Sequence, residues 1–98
     1  DRGHEGHALR LLADIAFRRS PAEPETADAL YRQSLALAEQ LGMRPLAARC
    51  HLGLGSLNKE RGEPRAARDD LTAAAREFKD MGMARWLSRA QTEQSALA

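Results

Sequence analysis

The sequence predicts an all-α fold, an α-α superhelix of two helical hairpins closed by a fifth helix. Its apolar content, 43% of residues, is mostly Ala and Leu, which order into helix at least cost. β-branched residues are nearly absent: Ile15, Thr26, Thr72 and Thr92, with no Val, are too few for a sheet. The chain also repeats itself. Glu23-Pro24 recurs as Glu63-Pro64, Ala27 as Ala67 and Gly42-Met43 as Gly82-Met83, all forty residues apart. Upstream the spacing is forty-two: Leu12 meets Leu54, Ile15 meets Leu57 and Arg19 meets Arg61. The two extra residues fall at Ser20-Pro21-Ala22, a stretch with loop composition.

Residues 1–98 read as one domain. The first repeat runs over about 5–42, the second over about 44–82, and a capping helix over about 84–97. Helix one, about 5–19, places Ala8, Leu12, Ile15 and Arg19 on one face. Helix two, about 24–41, opens on Pro24, where proline suits the first turn, and ends at Gly42. Its expected buried residues are Ala27, Leu30, Tyr31, Leu35, Ala38 and Leu41. Helix three, about 44–61, repeats the first stripe as Cys50, Leu54, Leu57 and Arg61, and Gly62 separates it from the next helix. Helix four, about 64–81, starts at Pro64 and buries Ala67, Leu71, Ala74, Ala75, Phe78 and Met81 before Gly82. Helix five, about 84–97, offers Met83, Trp86, Leu87, Ala90 and Leu97 inward. Arg85, Ser88, Arg89, Gln91, Glu93 and Gln94 are expected outward. A one-sided last helix closes the open end of a stack. The hairpins are expected to stack in a right-handed sense, with helices one and four kept apart.

Composition narrows function. A net charge of +1 favours neither nucleic acid nor an anionic membrane. Cys50 is the only cysteine, which fits a reducing, cytoplasmic setting. Opening on Asp1 rather than Met, the chain is expected to be a piece of a longer protein. His4-Glu5-Gly6-His7 places two imidazoles near a helix start that is expected to fray. A metal site would need further ligands, and Cys50 of Cys50-His51 falls on the apolar stripe. No metal or other cofactor is therefore expected. Gly53-Leu54-Gly55 lies within a helical period and lacks the preceding strand and Gly-Lys-Ser/Thr of a phosphate loop. Asp69 and Asp70 are adjacent and point in different helix directions, so they form no acid–base pair. The chain is expected to carry no catalytic site.

The second hairpin resembles a tetratricopeptide repeat, through His51, Leu54-Gly55 and Asn58, then Gly62, Ala67 and Leu71. The first hairpin gives Leu9, Leu12-Ala13 and Ala16, then Ala27 and Tyr31. The small residue at Gly55 or Ala13 lets the second helix of the same hairpin approach. The forty-residue period exceeds the thirty-four of that family. The run Arg44-Pro45-Leu46-Ala47-Ala48-Arg49-Cys50-His51-Leu52-Gly53-Leu54-Gly55 and the ending Gly82-Met83-Ala84-Arg85-Trp86-Leu87 resemble a particular bacterial setting. It is the C-terminal tetratricopeptide region of large signalling proteins. Those join a class III adenylate/guanylate cyclase, or a DNA-binding regulator, to an AAA-like, STAND-type ATPase.

The resemblance implies that the first helix of each hairpin lines a concave groove. The residues so placed are His7, Arg10, Asp14, Phe17 and Arg18, then Arg49, Leu52, Ser56, Lys59 and Glu60, with Arg89 and Thr92 continuing on helix five. Chaperone-binding relatives carry Lys and Asn where this chain has Leu52, Gly53 and Ser56, so their peptide-tail specificity is not implied. A basic groove with apolar spots suits a carboxylate-bearing segment of a partner protein or of another domain of the parent chain. Asp14 and Glu60 are its expected local acids. The alternative is self-association through the open ends at helices one and five.

Overall fold

The computed structural model describes residues 2–97. Five helices follow in order: α1 (Arg2–Arg18), α2 (Pro24–Leu41), α3 (Arg44–Glu60), α4 (Pro64–Asp80) and α5 (Ala84–Ser95). No strand occurs among the described residues. α1 packs on α2 and α3 on α4 as two hairpins, α2 joins α3, and α4 joins α5. α1 and α4 do not touch, so the array is an open, all-α superhelix rather than a closed bundle.

The shortest dimension is 19 Å, about the depth of two packed helices. One layer holds α1, α3 and α5, the other α2 and α4. α1 meets α3 and α3 meets α5, whereas α2 and α4 are not in contact. The first layer is therefore drawn together, and its outer side is the inside of the curve.

Local chemistry sets the helix ends. Pro24 and Pro64 open α2 and α4, where a missing N–H costs nothing. Gly42 closes α2 with φ at 70°, a conformation costly for other residues. Its N–H reaches the Glu39 carbonyl at 3.3 Å, and that of Met43 reaches Ala38 at 2.8 Å, so two otherwise orphaned carbonyls are satisfied. The same pair of bonds closes α3 at Gly62-Glu63 and α4 at Gly82-Met83. Helix one departs most from its expected limits. It begins at Arg2, so His4 and His7 lie inside a helix rather than at a frayed start. α1 and α3 are the same length, and each limit of α3 lies forty-two residues beyond that of α1.

The core forms in the seams. Ala13 and Ala16 of α1, Ala27 and Tyr31 of α2, and Leu54 and Leu57 of α3 make one cluster. Ala48, Leu52, Leu71, Ala74, Phe78 and Ala90 make a second. A Cβ on Gly55 would stand 2.6 Å from Leu71 Cγ, so glycine there admits α4 closely, as the small-residue pattern implies. Ser34 is buried yet satisfied: its hydroxyl donates to the Gly6 carbonyl at 2.7 Å and accepts from the Cys50 thiol at 3.2 Å.

The expected stripe of helix one is corrected. Ala8, Leu12, Ile15 and Arg19 are exposed, and α1 buries Gly6, Ala13 and Ala16 instead. In α3 the matching stripe meets α2; no helix occupies that place against α1 among the described residues. Leu41 is also exposed, and Leu30, Leu35, Ala75, Met81, Met83, Trp86, Leu87 and Leu97 are half-buried. Leu37, Leu46 and Ala48 join the core although the periodicity did not single them out.

Candidate functional site

The inside of the curve carries a cleft of about 100 Å³. Arg10, Asp14 and Phe17 of α1, Arg49, Leu52 and Ser56 of α3, and Arg89 of α5 all line it. The cleft opens into a broader depression of about 450 Å³, where Glu60, Ser88, Thr92 and Glu93 join its wall. Ten of the twelve residues expected in the groove thus line one or both of these depressions. Of the other two, Lys59 bonds to Glu93 at 2.7 Å. His7 is exposed on α1 and lines neither depression.

Acids hold part of the basic charge. Arg10 Nη1 donates to Asp14 Oδ2 at 2.7 Å, and the Tyr31 hydroxyl donates to Asp14 Oδ1. Burial, then the bond to Asp14, pushes the Tyr31 phenol well above its usual range. Arg10 keeps one unanswered group: its Nε is buried without a hydrogen-bond partner. Ser56 also donates to Glu93. Glu93 faces the groove, which corrects its expected outward position, and it joins Glu60 on the wall of the broader depression. Glu60 stays exposed.

Arg49 and Arg89 have no carboxylate within ion-pair distance among the described residues. Both lie against Trp86, with guanidinium carbons 4.4 Å and 4.8 Å from the ring centroid. Trp86 in turn stacks on Phe78 at 5.9 Å. Burial, and then the charge of Arg10, pull the Arg49 guanidinium below its usual pKa; Asp14 opposes them and Arg89 adds to them. Arg49 remains charged at neutral pH nonetheless. The cleft therefore presents two cations with their donors aimed at no acid, beside the apolar surfaces of Phe17 and Leu52. Such a surface can take a carboxylate through paired N–H donors.

His51, Asp70 and Cys50 lie outside the cleft. His51 Nδ1 lies 3.1 Å from Asp70 Oδ1, and Asn58 donates to the other Asp70 oxygen at 3.2 Å. Cys50 is buried, and burial raises its thiol pKa, leaving little thiolate at neutral pH. Among the described residues no three His, Cys, Asp or Glu side chains converge in a metal-holding group. No described helix is long and apolar enough to cross a membrane. Comparison with family models, curated proteins and solved structures finds no match.

The sequence reading missed Trp86, Tyr31 and Glu93 as groove residues. Trp86 and Tyr31 carried the signal of core aromatics, which they partly are. For Glu93 the signal was Lys59: the two occupy facing positions once α5 packs along α3.

Glu93 also sets an acid limit on the docking of α5. Burial raises its carboxyl pKa, but the bonds from Lys59 and Ser56 and the charge of Lys59 outweigh this, and the net direction is downward. A carboxyl lowered on folding stabilises the fold above its unfolded value, and that stabilisation is lost as pH falls through its folded value. Stability should therefore decline below the ordinary glutamate pKa. Glu93→Gln should remove at most about 1 kcal/mol at pH 7 and flatten part of that decline. Denaturant midpoints measured from pH 7 to pH 3 for both proteins check it; parallel curves would assign the acid loss to other carboxylates.

Proposed function

We propose that the chain is a non-catalytic protein–protein interaction module whose concave groove binds an acidic segment. The observation that carries this reading is the pair Arg49 and Arg89. Two guanidiniums sit on one tryptophan, and the same cleft holds a buried, unanswered Arg10 Nε. Like charges so placed repel, and a bound carboxylate relieves them. The acids that act on the pair are already engaged: Asp14, which acts on Arg49, by Arg10 and Tyr31, and Glu93, which acts on Arg89, by Ser56 and Lys59. Phe17 and Leu52 supply an apolar wall for the residue beside the bound acid. The resemblance to tetratricopeptide repeats supports the same face, and it suggests a cytoplasmic setting inside a larger bacterial signalling or regulatory protein. The segment then belongs to a partner protein or to another domain of the parent.

Trp86 is the only tryptophan, so its fluorescence reports on the cleft directly. A blocked peptide of alternating glutamate and leucine should change that fluorescence saturably. The same peptide with glutamine for glutamate should not. Binding should weaken when salt rises from about 0.05 M to about 0.3 M, because screening acts on these half-exposed charges. Arg49→Glu with Arg89→Glu should reduce affinity at least tenfold while leaving the melting temperature nearly unchanged. Unaltered acidic-peptide binding in that variant would show the groove to be an ordinary solvated face.

A further inference from the structure

We infer that the outward face of α1 is the seat of a further amphipathic helix, supplied by a hairpin outside these 98 residues and packed as α2 packs on α3. The inference is independent of the groove reading. It rests on the internal duplication. Moving α1 forward by forty-two residues lays it on α3 end to end, with Ala8 on Cys50, Leu12 on Leu54 and Ile15 on Leu57. In α3 those three residues are 0%, 1% and 1% exposed, because they pack with Ala27, Tyr31 and Ala38 of α2 and, for Leu54 and Leu57, with Ala13 and Ala16 of α1 as well. In α1, Leu12 and Ile15 are 51% and 53% exposed. Leu11, beside them, is 53% exposed. The same stripe is sealed in one repeat and open in the other.

The duplication also says what the occupant looks like. α2 sets the Tyr31 ring over Gly53, where a Cβ would overlap it. The matching residue of α1 is Leu11, so the visiting helix needs a small residue where α2 has Tyr31. Cys50 meets Ser34 by a hydrogen bond; its counterpart Ala8 asks for an apolar neighbour instead. The occupant is therefore a helix with Ala-like residues at i, i+4, i+7 and i+11, the spacing of Ala27, Tyr31, Ser34 and Ala38. A second copy stacked end to end does not offer this. Its α2 is already covered by α1 and α3, and its α4 by α3 and α5. Its α5 turns Arg85, Ser88, Gln91 and Ser95 to solvent, a polar surface for three large apolar side chains.

The test extends the full chain at its N-terminus with a copy of residues 24–42, carrying Tyr31→Ala and Ser34→Ala in the copy. That junction places Asp1 where Met43 follows α2. The added helix should raise the melting temperature by about 5 °C or more. It should also slow hydrogen exchange along α1 at least tenfold. Leu12→Glu with Ile15→Glu should abolish both gains, while changing the melting temperature of the unextended chain little. A copy bearing Ala27→Glu and Ala38→Glu should give no gain. An extension that stays protease-labile and adds no stability overturns the inference, as does a gain that survives the α1 substitutions. So does an unextended chain that sediments as a dimer split by Leu12→Glu with Ile15→Glu, which would assign the face to a second copy.

Discussion

Leu54→Ala should lower the unfolding free energy by about 2–5 kcal/mol. Leu54 is 1% exposed and sits where α1, α2 and α3 meet, against Ala13, Ala16, Ala27, Tyr31 and Leu57. Truncation removes transfer free energy and leaves a void. Three helices border that void, so no single movement closes it. Against a domain stability of about 5–15 kcal/mol the loss is large, and the melting temperature should fall by about 10 °C or more. The control is Leu12→Ala. By sequence it is the same residue of the other repeat, yet its side chain is half in water, and its truncation should cost no more than about 0.5 kcal/mol. Urea unfolding of the two variants measures the difference. Equal losses would mean that Leu12 is covered in solution, and an unchanged midpoint for Leu54→Ala would remove it from the core.

Helix limits were legible because they are set within a few residues of where they act. Pro24 and Pro64 fix where α2 and α4 start, and Gly42, Gly62 and Gly82 supply the left-handed residue that ends a helix. The meeting of Arg10, Asp14, Arg49, Leu52, Ser56 and Arg89 in one concavity was legible too. That grouping is what the resemblance to tetratricopeptide repeats implies, in which the first helix of each hairpin lines the concave side. What the sequence hid depends on neighbours. Leu12 and Leu54 belong to matching apolar stripes, and the helix beside each decides which is buried. Glu93 looked like an outward polar residue until the packing of α5 on α3 brought it to Lys59 and Ser56. Trp86 reads as core from its size, but its ring also meets two guanidiniums, and no periodicity encodes that.

Gly53→Ala should destabilise the fold, although it replaces glycine with the best helix former. In an exposed helix the change gains about 1 kcal/mol. Here the new methyl would enter the Tyr31 ring. A flexible side chain could swing away, but this ring is fixed at its far end by the hydroxyl bond to Asp14, which Arg10 also holds. Relief must come from moving α2 away from α3, and that disturbs the seam built around Leu54 and Leu57. Overpacking of this kind costs about 1–3 kcal/mol, so repulsion outweighs propensity and a net loss of about 1 kcal/mol is expected. Gly53→Leu, which copies the residue found at Leu11, should cost several times more. The origin of the loss can be isolated with Tyr31→Ala. That change is costly alone, since it empties the seam, but it also removes the atoms that Gly53 accommodates. In its background Gly53→Ala should become stabilising, reversing sign by a coupling of about 2 kcal/mol. Urea unfolding of the four proteins gives the cycle. If Gly53→Ala stabilises the unmodified chain, or if the two changes are additive, the ring does not rest on that glycine, and the close approach of α2 to α3 needs another cause.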